Sequence, residues 1–397
     1  MLTVGFVFNL ANEELLNENP ELTLNLTDAP ETIDAVEAAL AERGYTVVRL
    51  NADQHLPAAL ARTHFDLVFN IATGIYGDTR QANVPAMLEY LRIPHTGSGV
   101  LAETITHHKP VMKTLLLAQG LPTPAFQVFQ QGNEPVKRGL RFPLIVKLPA
   151  EGGSLGLDCG SIVHNVAELR SRVNLLVDKY GQGAMAEEYI EGREFTVPVL
   201  GNCPPYALPI VERVFSGDCH IMLDDPEETT VKELERLTGQ THEFTPTQSI
   251  SVSPADLPPD VTAYIQQISV AVYTALRCQD WARIDLRMDE HGDIYVIDVN
   301  LEPAIAPDYA LANSAQAAGW TYPQLVNNIL YHAVERYPQL LQQEQPAFVS
   351  SACVAQRMSS VKPRYASAGK HNGKCPLRRE QYAIRWSASE ATCPRTA

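Results

Sequence analysis

The stretch from Trp281 to Asn300 concentrates the residues best suited to chemistry. Two alternating runs flank Asp289-Glu-His-Gly292, and a short polar, glycine-bearing segment between such runs signals a hairpin. Pairing Met288 with Asp293 sets Arg283 opposite Asp298, with Asp285 and Asn300 on the same face because side chains alternate along a strand. Ile284, Leu286, Tyr295, Ile297 and Val299 then point the other way, into a core. One face thus collects an arginine, two carboxylates and a carboxamide. Hard oxygens suit Mg²⁺ and a planar guanidinium suits a transferring phosphoryl group, so the face matches a metal-bound nucleotide.

A chain of 397 residues with 45% hydrophobic content can bury a large core and predicts two or three domains. Its net charge of −15 argues against nucleic acid as a partner. With no 18-residue apolar run, and an opening that reads directly as a buried strand, neither a membrane span nor a signal peptide is expected, and the compartment is the cytoplasm. Seven cysteines with no metal-ligand spacing read as reduced thiols, Cys159 and Cys278 among them as packing residues. Residues 346–397 carry nine Lys/Arg against Glu380 and Glu390 and have no sustained period, the pattern of a disordered extension or of a stretch foreign to the folded protein.

Strands and helices alternate over residues 1–107: strand Leu2 to Leu10, helix Thr32 to Arg43, strands Thr46 to Leu50 and Asp66 to Asn70, helix Val84 to Leu91. That order implies a parallel sheet, with ligands beyond the carboxyl ends of its strands, so the loop Ala72 to Arg80 is a candidate substrate wall. Next come helix His108 to Gln119 and a buried strand ending at Lys147. The glycine-rich loop Glu151-Gly-Gly-Ser-Leu-Gly-Leu157 follows, its N–H groups able to fold over phosphates. Strand Ala184 to Ile190, strands Val197 to Leu200 and Ala207 to Val211, and helix Asp260 to Leu276 lead to the hairpin, which helices at Leu311 to Gly319 and from Tyr322 follow. His107 and His108, with no third ligand at a useful spacing, read as polar residues of a helix start.

In this order the pieces resemble the ATP-grasp superfamily, and within it D-alanine–D-alanine ligase and its relatives, over roughly residues 1–340. The resemblance is carried by Pro94-His-Thr-Gly-Ser-Gly99, Lys109, Ile145-Val-Lys147, Glu151 to Gly156, Glu187-Glu-Tyr-Ile190, Glu194 to Val197, Arg283-Ile-Asp285, Asp298-Val-Asn300 and Ala317 to Leu325. It implies an α/β, ATP-grasp fold of three domains: an N-terminal parallel α/β substrate domain (1–107), a central subdomain with the glycine-rich lid (108–196) and a C-terminal metal subdomain (197–345). The two subdomains would clamp the nucleotide. Residue by residue, it implies that Lys109 and Lys147 contact the ATP phosphates and that Gly152, Gly153 and Ser154 close over them. Glu187, Glu188, Tyr189 and Ile190 would follow the adenine edge, and Glu194 would hold the ribose hydroxyls. Asp285, Asp298 and Asn300 would hold two Mg²⁺, or Mn²⁺, with Arg283 and Lys147 as catalytic groups on the transferred phosphoryl. Asp298 stands where the family usually has the longer glutamate. The relatives also imply a homodimer.

The family's activation machinery is kept, but its D-alanine contacts are not. The first strand leads into Asn9-Leu-Ala-Asn-Glu-Glu14, the Glu-Asp-Gly loop reads Arg80-Gln81-Ala82, and Gly153 replaces the serine that closes the site. No counterpart of the tyrosine-lysine loop occurs in 212–250, Ala304 replaces a glycine, and Tyr309 falls where a serine receives the acceptor carboxylate. The segment Phe69 to Arg80 is similar to the ligases of mycosporine-like amino acid biosynthesis (shinorine/porphyra-334 type). On that resemblance ATP activates the ring carbonyl of mycosporine-glycine and serine or threonine attacks to give an imine, with Tyr76, Arg80, Glu302 and Tyr309 as substrate residues. The partners are then a small amino acid and a carbonyl or carboxylate substrate. Two alternatives stand beside it: a D-alanine–D-alanine or other amino-acid ligase, and a nucleotide-binding regulator without catalysis.

Overall fold

The computed structural model describes residues 2–11, 26–74, 77, 79–215, 221 and 249–341. Tyr76, residues 346–397 and most of 212–250 lie outside them. The chain begins with β1 (Thr3–Phe8), and its TVGFVF run is apolar enough to be covered on both faces. With β2 (Thr46–Asn51) and β3 (Leu67–Asn70) it forms a parallel sheet in the order β2-β1-β3. Helix α1 (Pro30–Glu42) opens on a proline and buries Ile33, Val36, Ala39 and Leu40, the helical spacing read from sequence. Helices α2 (Leu56–Arg62) and α3 (Asn83–Leu91) complete this layer. Beyond the strands' carboxyl ends the chain must turn sharply at Gly74 (φ +69°), where a Cβ would stand 2.2 Å from the Arg80 carbonyl oxygen. Only glycine fits there.

Helices α4 (Val100–His107) and α5 (Lys109–Ala118) lead into a four-stranded antiparallel sheet of β4 (Phe126–Phe129), β5 (Leu144–Lys147), β6 (Ile162–Val163) and β7 (Ala184–Glu188), in the order β4-β7-β5-β6. Helix α6 (Val166–Tyr180) covers it. The sequence reading passes over α6, although Asn165 caps its first N–H groups and Gly181 (φ +65°) stops it.

The second antiparallel sheet joins β8 (Arg193–Leu200), β9 (Tyr206–Ala207), β10 (Val211–Phe215), β11 (Ser249–Val252), β12 (Trp281–Met288) and β13 (Ile294–Asn300), in the order β11-β10-β8-β12-β13 with β9 beside β8. The single strand expected over 207–211 is two, separated by Leu208-Pro-Ile210, because Pro209 has no N–H for a ladder. Helix α7 (Pro259–Ala275) packs on this sheet, and α8 (Ala310–Ala317), α9 (Tyr322–Arg336) and α10 (Pro338–Leu341) close the described chain. The fold is mixed α/β, with one parallel and two antiparallel sheets, as expected. No helix among the described residues is long and apolar enough to cross a membrane. Cys278 is a buried thiol, but Cys159 is disulfide-bonded, against the expectation of reduced thiols throughout.

The β12–β13 register departs from expectation. Met288 pairs with Ile294, and after a bulge between Asp285 and Leu286 the pairs are Asp285 with Asp298 and Arg283 with Asn300. The extra residue changes which side chains face inward. Ile294 and Val296 enter the core with Ile284, Leu286 and Val299, whereas Tyr295 and Ile297 do not.

The apolar cores are shared unequally among the layers. The parallel sheet and α1 pack in one cluster with α8, α9 and Trp281, while the four-stranded sheet and α6 have a cluster of their own. At the first junction Asp280, fully buried, accepts from Arg336 Nε (3.0 Å) and Nη2 (2.7 Å), from the Gly97 N–H (2.9 Å) and from Asn202 (2.9 Å). Arg336 also donates to the carbonyls of His95 and Gly97. Replacing Arg336 by alanine strands a buried charge, and a stability loss of about 3–5 kcal/mol is expected in urea unfolding. A loss below about 1 kcal/mol, the worth of an exposed pair, would rule out this role.

Candidate functional site

The centre of the site is a buried carboxylate between two lysines. Lys109 and Lys113 lie four apart on α5 and share a face, β5 ends on Lys147, and β7 presents Glu187 on the neighbouring strand. Glu187 stands 2.6 Å from Lys147 Nζ and 2.7 Å from Lys113 Nζ. Lys113, fully buried, also donates to Thr123 Oγ1 at 2.8 Å. Burial opposes every one of these charges. For Glu187 the two ammoniums outweigh it and hold the carboxyl below its ordinary value. For Lys147, Glu187 and Asp298 outweigh it and raise the pKa, whereas for Lys113 burial wins and the pKa falls.

The bulged hairpin faces these lysines. Arg283 forks onto Asp285 (Nη2–Oδ2 2.9 Å), which also accepts from Thr196 Oγ1 (2.8 Å) and Asn300 Nδ2 (3.0 Å). Asp298 lies 3.3 Å from Lys109 Nζ, and although burial opposes its charge, Lys109 and Lys147 keep it ionised below the usual range. Arg287, on the same strand face, pairs with Glu194 (3.2 Å) and stacks over Tyr189 at 4.7 Å. Burial raises the Glu194 carboxyl despite that arginine. Glu188 turns to the opposite side of β7 from Glu187, where Arg141 holds it.

Most of these groups line one cleft, which encloses about 920 Å³ of non-atom space with the open solvent at its mouth included. Lys109, Lys147, Gly152, Gly153, Ser154, Glu187, Glu188, Tyr189, Ile190, Glu194, Arg283, Asp285, Asp298 and Asn300 all line it, as do Arg287, Ile221 and Ile297. Gly153 (φ +59°) and Ser154 (φ +54°) carry the glycine-rich loop through the left-handed region along one wall. Sequence reasoning missed Lys113 and Arg287. Their signals are positional: Lys113 follows Lys109 by one helical turn, and Arg287 has the parity of Arg283 and Asp285 on β12.

The expected substrate residues stand elsewhere. Arg80, 5% exposed, pairs with Glu151 at 2.7 Å, at the start of the glycine-rich loop. Tyr309 is the residue before the first turn of α8. Glu302 faces Glu103 of α4 in the interior; burial pushes its carboxyl up to about 8, and burial with the Glu302 charge raises Glu103 too. His107 is not a helix-start residue but the buried end of α4, whereas His108 caps α5. Burial, then Arg80 and Lys109, push the His107 imidazole down to about 3 and keep it neutral.

Among the described residues no three His, Cys, Asp or Glu gather as a metal-binding group. Asp285, Asp298 and Asn300 nevertheless fit Mg²⁺, which binds through one or two carboxylates and completes its shell with water and phosphate oxygens.

Residues 115–331 match the family model described as the D-ala D-ala ligase C-terminus. The chain is 37% identical over 313 residues to an uncharacterized protein, y4sG, of Sinorhizobium fredii, covering 77% of this chain and 88% of that one. It is 32% identical to a D-alanine–D-alanine ligase of Moorella thermoacetica, covering 76% and 93%. Its fold is similar to a crystal structure of the D-alanine–D-alanine ligase of Bacillus anthracis complexed with ATP, with a TM-score of 0.64 and 23% identity over 84% of this chain and 98% of that one. The chain belongs to the D-alanine–D-alanine ligase family of ATP-grasp carbon–nitrogen ligases.

Because the Glu187 carboxyl is held below its ordinary value, its stabilisation is present above the unfolded value of about 4.3 and is lost as the pH falls through the lower folded value. Glu187→Gln is expected to cost about 3–5 kcal/mol at neutral pH, with the gap to the native protein closing below about pH 4. Urea unfolding across that range measures it, and a gap independent of pH would exclude the lysine pairs as its cause.

Proposed function

We propose that this protein is an ATP-dependent, ADP-forming ligase that phosphorylates a carboxylate oxygen of one substrate and joins the activated carbon to the amine of an amino acid. The observation that carries this is the convergence of Lys109, Lys147 and Arg283 with Asp285, Asp298 and Asn300 on one cleft walled by the glycine-rich loop. A carboxylate is a poor electrophile because its leaving group would be an oxide. Attack of its oxygen on the γ-phosphorus of ATP expels ADP and gives an acyl phosphate; the amine then adds to that carbonyl carbon and phosphate departs with the C–O electron pair. The three cations offset charge on the phosphoryl oxygens, and the loop excludes water that would hydrolyse the intermediate. Asp285, Asp298 and Asn300 would hold the Mg²⁺, which supplies charge neutralisation at the phosphates. In this reading residues 1–107 form the substrate domain, 108–196 carry the lid and 197–345 carry the metal ligands.

The D-alanine–D-alanine ligases among the relatives support amino-acid joining over imine formation on a mycosporine. The altered contacts at Asn9, Arg80, Ala304 and Tyr309 keep the second reading alive. Phosphate release with D- and L-amino acids, with and without mycosporine-glycine, followed by product mass, separates them. A dipeptide supports the first and an imine of mycosporine-glycine the second. No turnover with any substrate overturns both.

Arg283→Ala is expected to lower kcat by about 10²–10³-fold, the worth of one preorganised donor on developing charge. Asp298→Ala should lower activity by at least about a hundredfold and weaken Mg²⁺ or Mn²⁺ binding seen by titration calorimetry. Full activity in Asp298→Ala would remove the metal assignment.

A further inference from the structure

From the ends of β1 and β3 to the neighbourhood of Lys109, several buried polar atoms have no partner. The β1–β3 pairing ends at Val7 with Asn70, and Asn9 and Thr73 follow just beyond it on the two strands. Asn9 is fully buried, and its backbone is fixed from both sides by Asp28, through Asn9 N–H to the carboxylate (2.8 Å) and Asp28 N–H to the Asn9 carbonyl (2.7 Å). Yet both atoms of its carboxamide are unpaired, as are Thr73 Oγ1, Arg80 Nε and His107 Nε2. An unsatisfied buried polar group costs about 1–3 kcal/mol, so such a group of them is retained for something that binds.

Arg80 shows what that is. Among the described residues its Nη2 is engaged by Glu151 Oε2 at 2.7 Å, while Nε, the other prong of the fork, is buried without an acceptor. Glu151 is in turn held by Gln182 (3.0 Å), and its backbone carbonyl accepts from Lys109 Nζ (2.8 Å). It is also the first residue of the glycine-rich loop.

We infer that Arg80 anchors a carboxylate-binding subsite at the edge of the cleft, in which Glu151 stands in for the carboxylate of a substrate. Resting on the ligase reading, this means that one substrate brings a carboxylate that is not the oxygen to be phosphorylated. That carboxylate displaces Glu151 from Arg80, and exchange of one anion for another on the same guanidinium leaves the buried charge paired throughout. The neutral His107 at this corner adds no competing cation. Docking on the parallel sheet thereby frees the first residue of the loop over the phosphates.

The test uses the full chain with D-alanine, L-serine, L-threonine and the carboxamide of each, measured by calorimetric binding with ATP and Mg²⁺ and by phosphate release. The acids should bind at least about tenfold more tightly than their amides, and Arg80→Gln should erase most of that ratio. Glu151→Gln, which removes the internal competitor, should tighten acid binding. An acid-to-amide ratio unchanged in folded Arg80→Gln, acid binding weakened by Glu151→Gln, or no acid bound by the native protein would each overturn the inference. Acid binding that depends on Arg80, without phosphate release or product, would instead overturn the ligase reading and leave the subsite standing.

Discussion

The ion cluster of Glu187 with Lys113 and Lys147 is the constraint on which the cleft depends. A single buried carboxylate shared by two ammoniums would be a poor investment for stability alone, since apolar residues fill such space as well. Its effect is positional. Lys113 reaches Thr123 beside the Val296 carbonyl of β13, so the cluster ties α5, β5 and β7 to the bulged hairpin. With Glu187 engaged from both sides, the Lys147 ammonium is fixed at the strand end, and its field, with that of Lys109, keeps Asp298 ionised. The hairpin supplies oxygens, and this cluster sets the distance from which the cations face them.

Much of the cleft was legible because strand parity and short motifs are local. Lys147, the glycine-rich loop, Glu194 and the face of Arg283, Asp285, Asp298 and Asn300 could be placed together from the sequence, and the fold class followed from the order of strands and helices. The register of the hairpin was not legible, because a bulge depends on how β12 pairs with β8 and β13 at once. Lys113 was hidden for a related reason. A lysine one turn after Lys109 in an apolar helix reads as a snorkelling side chain until Glu187 is seen across from it.

The substrate side was the least legible. Arg80 could be named as an anion-binding group, but its pairing with Glu151 spans two layers far apart in sequence. His107 was read as part of a polar helix start, although it is the buried end of α4, next to Arg80 and Lys109. Glu302 belongs with Glu103 for the same reason: burial raises both carboxyls, and neither lines the cleft. Each of these depends on which layer covers a loop, which no local pattern records.

The unequal sharing of cores has a mechanical meaning. The parallel sheet is joined to the C-terminal helices and the root of β12 by one apolar cluster, and Asp280 and Arg336 bolt that seam from within. The four-stranded sheet with α6 keeps a separate apolar cluster, and the buried Arg80–Glu151 pair links this part of the chain to the layer of the parallel sheet. Both ends of the described chain are therefore built into one block. The middle of the chain keeps its own apolar cluster and meets the hairpin side through the ion pairs at Glu187.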